Sequence, residues 1–84
     1  MIKLVYFAWV RERIGKSSEE ILLPQHVKTI ADLIAHLVTL DDGYAGAFQV
    51  PEVIQAAIDK KHSQHDTMIG DAREIAFFPP MTGG

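Results

Sequence analysis

Hydrophobic and polar positions alternate along the chain in short runs, and the period changes from run to run. In IKLVYF, residues 2–7, β-branched and aromatic residues dominate and read as a first strand. Its two faces carry Ile2, Leu4 and Tyr6 on one side and Lys3, Val5 and Phe7 on the other. AWVRERIG then reads as a short helical turn closed by Gly15, a residue at home in the left-handed region. SEEILLP, residues 18–24, is expected to form a second strand ending at Pro24 and lying hairpin-like beside the first.

The period lengthens at about residues 29–41, where Ile30, Leu33, Ile34, Leu37 and Val38 recur at helical spacing and Asp32, His36 and Thr39 share the other side. Thr29 with Asp32 three residues on is a capping-box-like start. The DDG run is expected to end this helix, with Gly43 as its stop, and YAGAFQ to add a short helical turn before Pro51. VIQAAID, residues 53–59, reads as a third strand, KKHSQHDTMIGDA as a polar loop with room for a short fourth, and EIAFF, residues 74–78, as the last. The order β-β-α-β-(β)-β predicts an α+β fold in which one main helix crosses a mixed sheet of four to five strands. The first and last strands would then be central neighbours, which by analogy with known folds, and not by pattern alone, is the ubiquitin-like β-grasp arrangement.

Composition narrows the function. Eighty-four residues, 48% hydrophobic and 23% charged, make a single small domain over 1–84 rather than a disordered chain. The first residues carry Lys3 and a short apolar stretch without a small-residue cleavage pattern, so they read as a strand and not a signal peptide. No apolar run approaches the roughly 20 residues that span a bilayer. Cysteine is absent, which excludes a disulfide framework, a thiol nucleophile and a thiolate metal site. A net charge of −3 with scattered basic residues gives no general attraction to nucleic acid or anionic membrane. The expectation is a cytoplasmic protein whose partner is another protein or a small molecule.

The ending, EIAFFPPMTGG, carries the chemistry. Pro79 and Pro80 cannot donate ladder hydrogen bonds, so the last strand must stop there, and Pro80 biases Pro79 toward an extended conformation. Residues 79–84 are thus expected to form a flexible tail projecting from the fold, with a reach of roughly 20 Å. Gly83 and Gly84 have no Cβ, which lets backbone enter a channel too narrow for a side chain and leaves the terminal carboxyl group unshielded. That group, with an ordinary pKa of about 3.5, is an inert carboxylate at neutral pH and needs activation from outside, for instance by adenylation from ATP. The chain carries no phosphate-binding loop of its own.

At AFFPPMTGG the chain resembles the small, sulfur-carrier subunit of molybdopterin synthase, a β-grasp family, with MIKLVYFAWVRERIG and TIADLIAHL extending the likeness over nearly its whole length. The resemblance implies a role in molybdenum cofactor biosynthesis. An E1-like adenylyltransferase would activate Gly84 as an acyl-adenylate, and a persulfide-bearing sulfurtransferase would convert it to a thiocarboxylate. The tail would then enter the large synthase subunit, in a heterotetramer, and give its sulfur to the cyclic pyranopterin precursor. By that resemblance Gly84 carries the sulfur and Gly83 threads the channel, with Thr82, Met81, Pro80 and Pro79 behind it. Catalytic side chains would belong to the large subunit, no cofactor would be bound permanently, and ATP would be used by the activating enzyme. Phe7 and Phe78 end the first and last strands and are expected to share one patch that docks the large subunit, with Phe77 turned into the core. Two features depart from the family's pattern: Ala72 and Arg73 stand where a Gly-Asp turn is usual, and Asp59 stands where Asn is common. Rival readings are a sulfur carrier for thiazole or another biosynthesis, a ubiquitin-like modifier joined to lysines through Gly84, and a plain interaction domain.

The remaining signals are weaker. His62 and His65 have H-x-x-H spacing beside Asp66, but a loop suits that spacing poorly and no third ligand stands out, so no metal is assigned. His26 and His36 read as isolated, Trp9 as a core or hinge filler, and Arg11, Glu12 and Arg13 as a solvated turn or a basic rim.

Overall fold

A computed structural model describes residues 1–80. Its elements are β1 (Ile2–Tyr6), α1 (Ala8–Ile14), β2 (Ser18–Ile21), α2 (Ile30–Leu37), α3 (Asp42–Ala47), a 3-10 turn (Pro51–Val53), β3 (Gln55–Ile58), β4 (Lys61–Ser63) and β5 (Glu74–Phe78). The strands form one mixed sheet in the order β2-β1-β5-β3-β4. First and last strands are central and parallel, with Lys3 opposite Glu74 and Tyr6 opposite Phe77. β2 lies antiparallel outside β1, and the β3–β4 hairpin lies antiparallel on the other side of β5. The expected α+β, β-grasp arrangement is borne out, with five strands. Among the described residues no helix is long and apolar enough to cross a membrane.

One face of the sheet is covered. Ile2, Leu4 and Tyr6 from β1, Ile75 and Phe77 from β5 and Ala56 from β3 meet Ile30, Leu33, Ile34 and Leu37 from α2 in a single buried cluster. The helix reaches this position through its start. Thr29 Oγ1 accepts from the Asp32 N–H at 3.1 Å, and Asp32 Oδ2 accepts from the Thr29 N–H at 3.2 Å, the reciprocal pair expected from the sequence. The next free donors, of Ile30 and Ala31, bond the carbonyls of Thr67 and His65, so the loop after β4 is stitched to the helix.

Several boundaries differ from the sequence reading. α2 stops at Leu37, with Val38 as its C-cap, instead of running to about 41. The Asp-Asp-Gly run does not end it but starts α3: Asp41 Oδ1 accepts from the N–H groups of Gly43 and Tyr44. Gly43 is therefore a first-turn residue rather than a stop, and its lack of a Cβ serves packing, since an added one would lie 3.1 Å from the Arg13 carbonyl oxygen of α1. β2 ends at Ile21, short of Pro24, and β3 begins at Gln55 because Pro51 opens a 3-10 turn through Val53. Gly15 does close α1, at φ 92°.

The two departures from the family's pattern are locally satisfied. Asp59 and Lys60 both have positive φ, 49° and 71°, as a two-residue type I′ hairpin turn requires. Asp59 Oδ1 accepts from the backbone of Arg73 and Glu74 at 3.0 Å each, and the Asp59 N–H donates to the Glu74 carbonyl. This side chain therefore pins the β3–β4 turn to the start of β5. In the loop before β5 the left-handed residue is Gly70, at φ 57°, while Ala72 packs half-buried against the core.

Candidate functional site at the end of the central strand

The strand that leads to the tail is held on both sides and from beneath. β5 pairs with β1 and with β3, and Phe77 near its end is fully buried. Its ring lies 6.2 Å from Tyr6, nearly parallel, and 5.1 Å from Phe48, edge-on. Alternation then turns Phe78 to the uncovered face, half-buried, with Pro79 and Pro80 following, also half-buried. Met81, Thr82, Gly83 and Gly84 lie outside the described residues.

Phe7 ends the neighbouring strand. It has extended backbone, caps α1, is 49% exposed, and donates its N–H to the Phe77 carbonyl at 3.1 Å. Ala8 follows at φ 53°, a left-handed conformation that costs a non-glycine residue roughly 1–2 kcal/mol and swings the chain sharply into α1. The register that sets Tyr6 against Phe77 places Phe7 and Phe78 one level further on, both on the uncovered face.

Behind them a row runs across the sheet by register: Ser18, Val5, Ala76, Ala57, His62. Its three central members are small, so the uncovered face has a shallow apolar floor between the rings of Phe7, Phe78 and His62. His62 is the aromatic neighbour of Phe78, with centroids 6.3 Å apart, and its Nε2 lies 2.7 Å from Gln55 Oε1. The sequence reading missed His62 at this site because it placed residues 60–72 in a polar loop. The signal available was the register of a tight Asp59-Lys60 hairpin, which carries His62 to the same side as Ala57. His65 is engaged elsewhere, its Nε2 2.7 Å from the Ile54 carbonyl, so the two imidazoles of the H-x-x-H spacing serve different partners.

On the covered side, under Tyr6, sits a polar network with no counterpart in the sequence reading. Glu19 of β2 accepts from the Tyr6 hydroxyl at 2.6 Å and the Tyr44 hydroxyl at 2.5 Å, and Lys16 lies 3.2 Å from its second oxygen. Burial acts to raise the Glu19 pKa, but bonds from Tyr44, Tyr6 and Lys16 outweigh it and hold the carboxyl below its ordinary value. Burial and then the bond to Glu19 push both phenols above theirs. The network ties β1, β2 and α3 together beneath Tyr6, the residue against which Phe77 stacks.

The other expectations resolve simply. His26 and His36 are not isolated: their rings meet edge-on at 6.1 Å. Trp9 packs half-buried against the core with the Arg13 guanidinium 4.5 Å above its ring, so Arg13 is occupied locally, while Arg11 and Glu12 are exposed.

Comparison with known proteins agrees with this geometry. Residues 4–84 match the model of the ThiS family. The molybdopterin synthase sulfur carrier subunits of Escherichia coli (strain K12) and Haemophilus influenzae (strain ATCC 51907 / DSM 11121 / KW20 / Rd) are 34% and 32% identical to the chain, each over 84 residues and all of both proteins. Among solved structures, SAMP1 from Haloferax volcanii superposes with a TM-score of 0.70 at 20% identity, covering 99% of this chain and 98% of that one. That likeness is one of fold, and the relatives at full coverage bear out the resemblance read from the ending. The chain belongs to the ThiS family.

Proposed function

We propose that the chain is the sulfur-carrier subunit of a molybdopterin synthase, donating sulfur from a thiocarboxylate at Gly84. It is a donor subunit of a sulfurtransferase and not a stand-alone catalyst. The anchorage of the tail's root carries the reading: Phe78 ends a central strand paired on both sides, above a fully buried Phe77, and Pro79-Pro80 follow at once. A root so constrained lowers the ordering cost of inserting the last residues into a partner. The full-length relatives bearing that name support the choice of pathway.

The chemistry balances without a side chain from this protein. The Gly84 carboxylate attacks the α-phosphorus of ATP in an E1-like adenylyltransferase and pyrophosphate leaves. A persulfide sulfur from a sulfurtransferase then displaces AMP at the acyl carbon, and reductive cleavage of the resulting acyl disulfide by a thiol leaves the thiocarboxylate. In the large synthase subunit this sulfur attacks a carbon of the cyclic pyranopterin precursor and displaces an oxygen there, forming a thioester; water then cleaves the acyl–sulfur bond, which leaves the sulfur on the precursor and Gly84 as a carboxylate. Gly83 passes through the narrowest part of the channel, with Thr82, Met81, Pro80 and Pro79 lining its approach. Phe78 and Phe7 form the docking face, and two such subunits would sit at opposite ends of a heterotetramer.

Intact mass after co-expression with the activating enzyme and a sulfur source tests this directly. The expected result is a gain of about 16 Da, one oxygen replaced by sulfur, which is abolished when one residue is appended after Gly84. High-mass conjugates to lysines instead would identify a modifier. Loading without binding to a large synthase subunit would point to another biosynthesis, such as that of thiazole.

A further inference from the structure

We infer that Ala8 is a positioning residue for docking: its left-handed backbone fixes the Phe7 ring on the level of Phe78, an inference that rests on the reading of that face given above. Ala8 is exposed, at φ 53°, one of three non-glycine residues at positive φ among the described residues. The other two, Asp59 and Lys60, sit in a hairpin turn that requires this conformation of both. Ala8 belongs to no such turn. It joins β1 to α1, where glycine would adopt the same φ without steric cost.

Bonds on either side impose the conformation. The Phe7 N–H donates to the Phe77 carbonyl at 3.1 Å, next in line after the β1–β5 pairs. The Phe7 carbonyl accepts from the N–H groups of Val10 and Arg11, at 3.1 and 3.3 Å, and the Val10 side chain is fully buried. Phe7 itself is extended, at φ −123° and ψ 154°, so the chain turns from strand into helix at Ala8 alone. What the methyl group adds is restriction. With a Cβ the left-handed well is only about 20° wide in φ and about 30° in ψ, whereas glycine ranges over a much broader region. The peptide plane between residues 7 and 8 is confined with it, and so is the direction in which the half-exposed Phe7 ring leaves the backbone. A strained residue over-determined by its surroundings, beside an exposed aromatic ring, points from backbone to function. The strain holds in advance a ring that a partner would otherwise have to order.

The test compares the native chain with Ala8→Gly, Ala8→Asn and Phe7→Ala, first alone and then with the purified large synthase subunit. Glycine relieves the steric cost, so Ala8→Gly should melt about 2–8 °C higher. In the free chain its Phe7 amide should nevertheless exchange hydrogen about threefold faster than native, the size of glycine's extra backbone freedom. Calorimetric titration should show Kd weakened by about the same factor, because a smaller share of molecules has the ring in place. Asn keeps a Cβ and tolerates left-handed φ, so Ala8→Asn should match native in exchange and in Kd. A melting point of Ala8→Gly at or below native overturns the strain. Phe7 exchange that is no faster in Ala8→Gly, or as fast in Ala8→Asn, overturns the positioning role without reference to any partner. An unchanged Kd of Ala8→Gly, where Phe7→Ala binds more weakly, also overturns that role and leaves the face intact. Native affinity in Phe7→Ala, with its fold verified by circular dichroism, overturns the face itself, as does the absence of binding by the native chain.

Discussion

Replacing Glu19 by Gln probes the network that joins β1, β2 and α3 at Tyr6 with almost no change in shape. In the native chain one carboxylate oxygen accepts from two phenols, at 2.6 and 2.5 Å, and the side chain is 16% exposed. Gln offers one neutral oxygen, and its amide nitrogen brings hydrogens to a site arranged for acceptance. A hydrogen bond to a charged group is worth about 1.5–3 kcal/mol and a neutral one about 0.5–1.5, so exchanging charge-assisted bonds for neutral ones should cost about 2 kcal/mol. At roughly 4–8 °C per kcal/mol for a domain of this size, Tm should fall by about 8–16 °C at neutral pH. Acid should shrink that gap. The Glu19 carboxyl is held below its ordinary 4.5 in the folded chain, so its contribution is complete above the unfolded value and is lost as pH falls through the folded one. Below that range native Glu19 is neutral and resembles the variant. Thermal melts followed by circular dichroism at neutral pH and at about pH 3 measure both differences. A Glu19→Gln melting point within about 2 °C of native at neutral pH, or a gap that persists undiminished in acid, would refute the assignment.

Two further substitutions test the frame around the site. Asp59→Ala removes the acceptor for the Arg73 and Glu74 N–H groups and leaves a β-carbon residue at positive φ, so it should cost about 2–3 kcal/mol in denaturant unfolding. Asp59→Asn keeps an acceptor and tolerates that φ, and should recover most of the loss; equal damage by both would show that the side-chain bonds are not what holds the turn. Thr29→Ala removes the α2 cap and should cost about 1 kcal/mol, while Thr29→Ser should cost little. Hydrogen exchange in the first turn of α2 locates that effect, and protection unchanged in Thr29→Ala would contradict it.

Local patterns were legible where each side chain acts on its own neighbourhood. The Thr29–Asp32 capping box, the Gly15 stop and the alternation in β1 all involve contacts within a few residues, and each lies where the pattern placed it. Phe77 inside followed by Phe78 outside comes from strand alternation alone. The Asp-Asp-Gly run was misread because Gly after a helix and Asp before one look alike locally. α3 wins because Asp41 caps it and Tyr44 can then reach Glu19. His62 was hidden for a related reason: a three-residue edge strand has too short a pattern to announce itself, and its register comes from the turn that precedes it.

What the sequence determined by itself is therefore the order and type of the principal elements, the buried stripe of α2 and the diproline-diglycine ending, since these follow from steric and burial preferences that neighbouring residues satisfy together. Tertiary structure decided which groups meet. The Tyr6–Glu19–Tyr44 network joins residues 13 and 25 positions apart, and the uncovered face of the sheet gathers Val5, Ala57, Ala76 and His62 from four strands. Such meetings depend on sheet order and register, which are settled by packing the whole apolar face against α2 and not by any one segment's own preference.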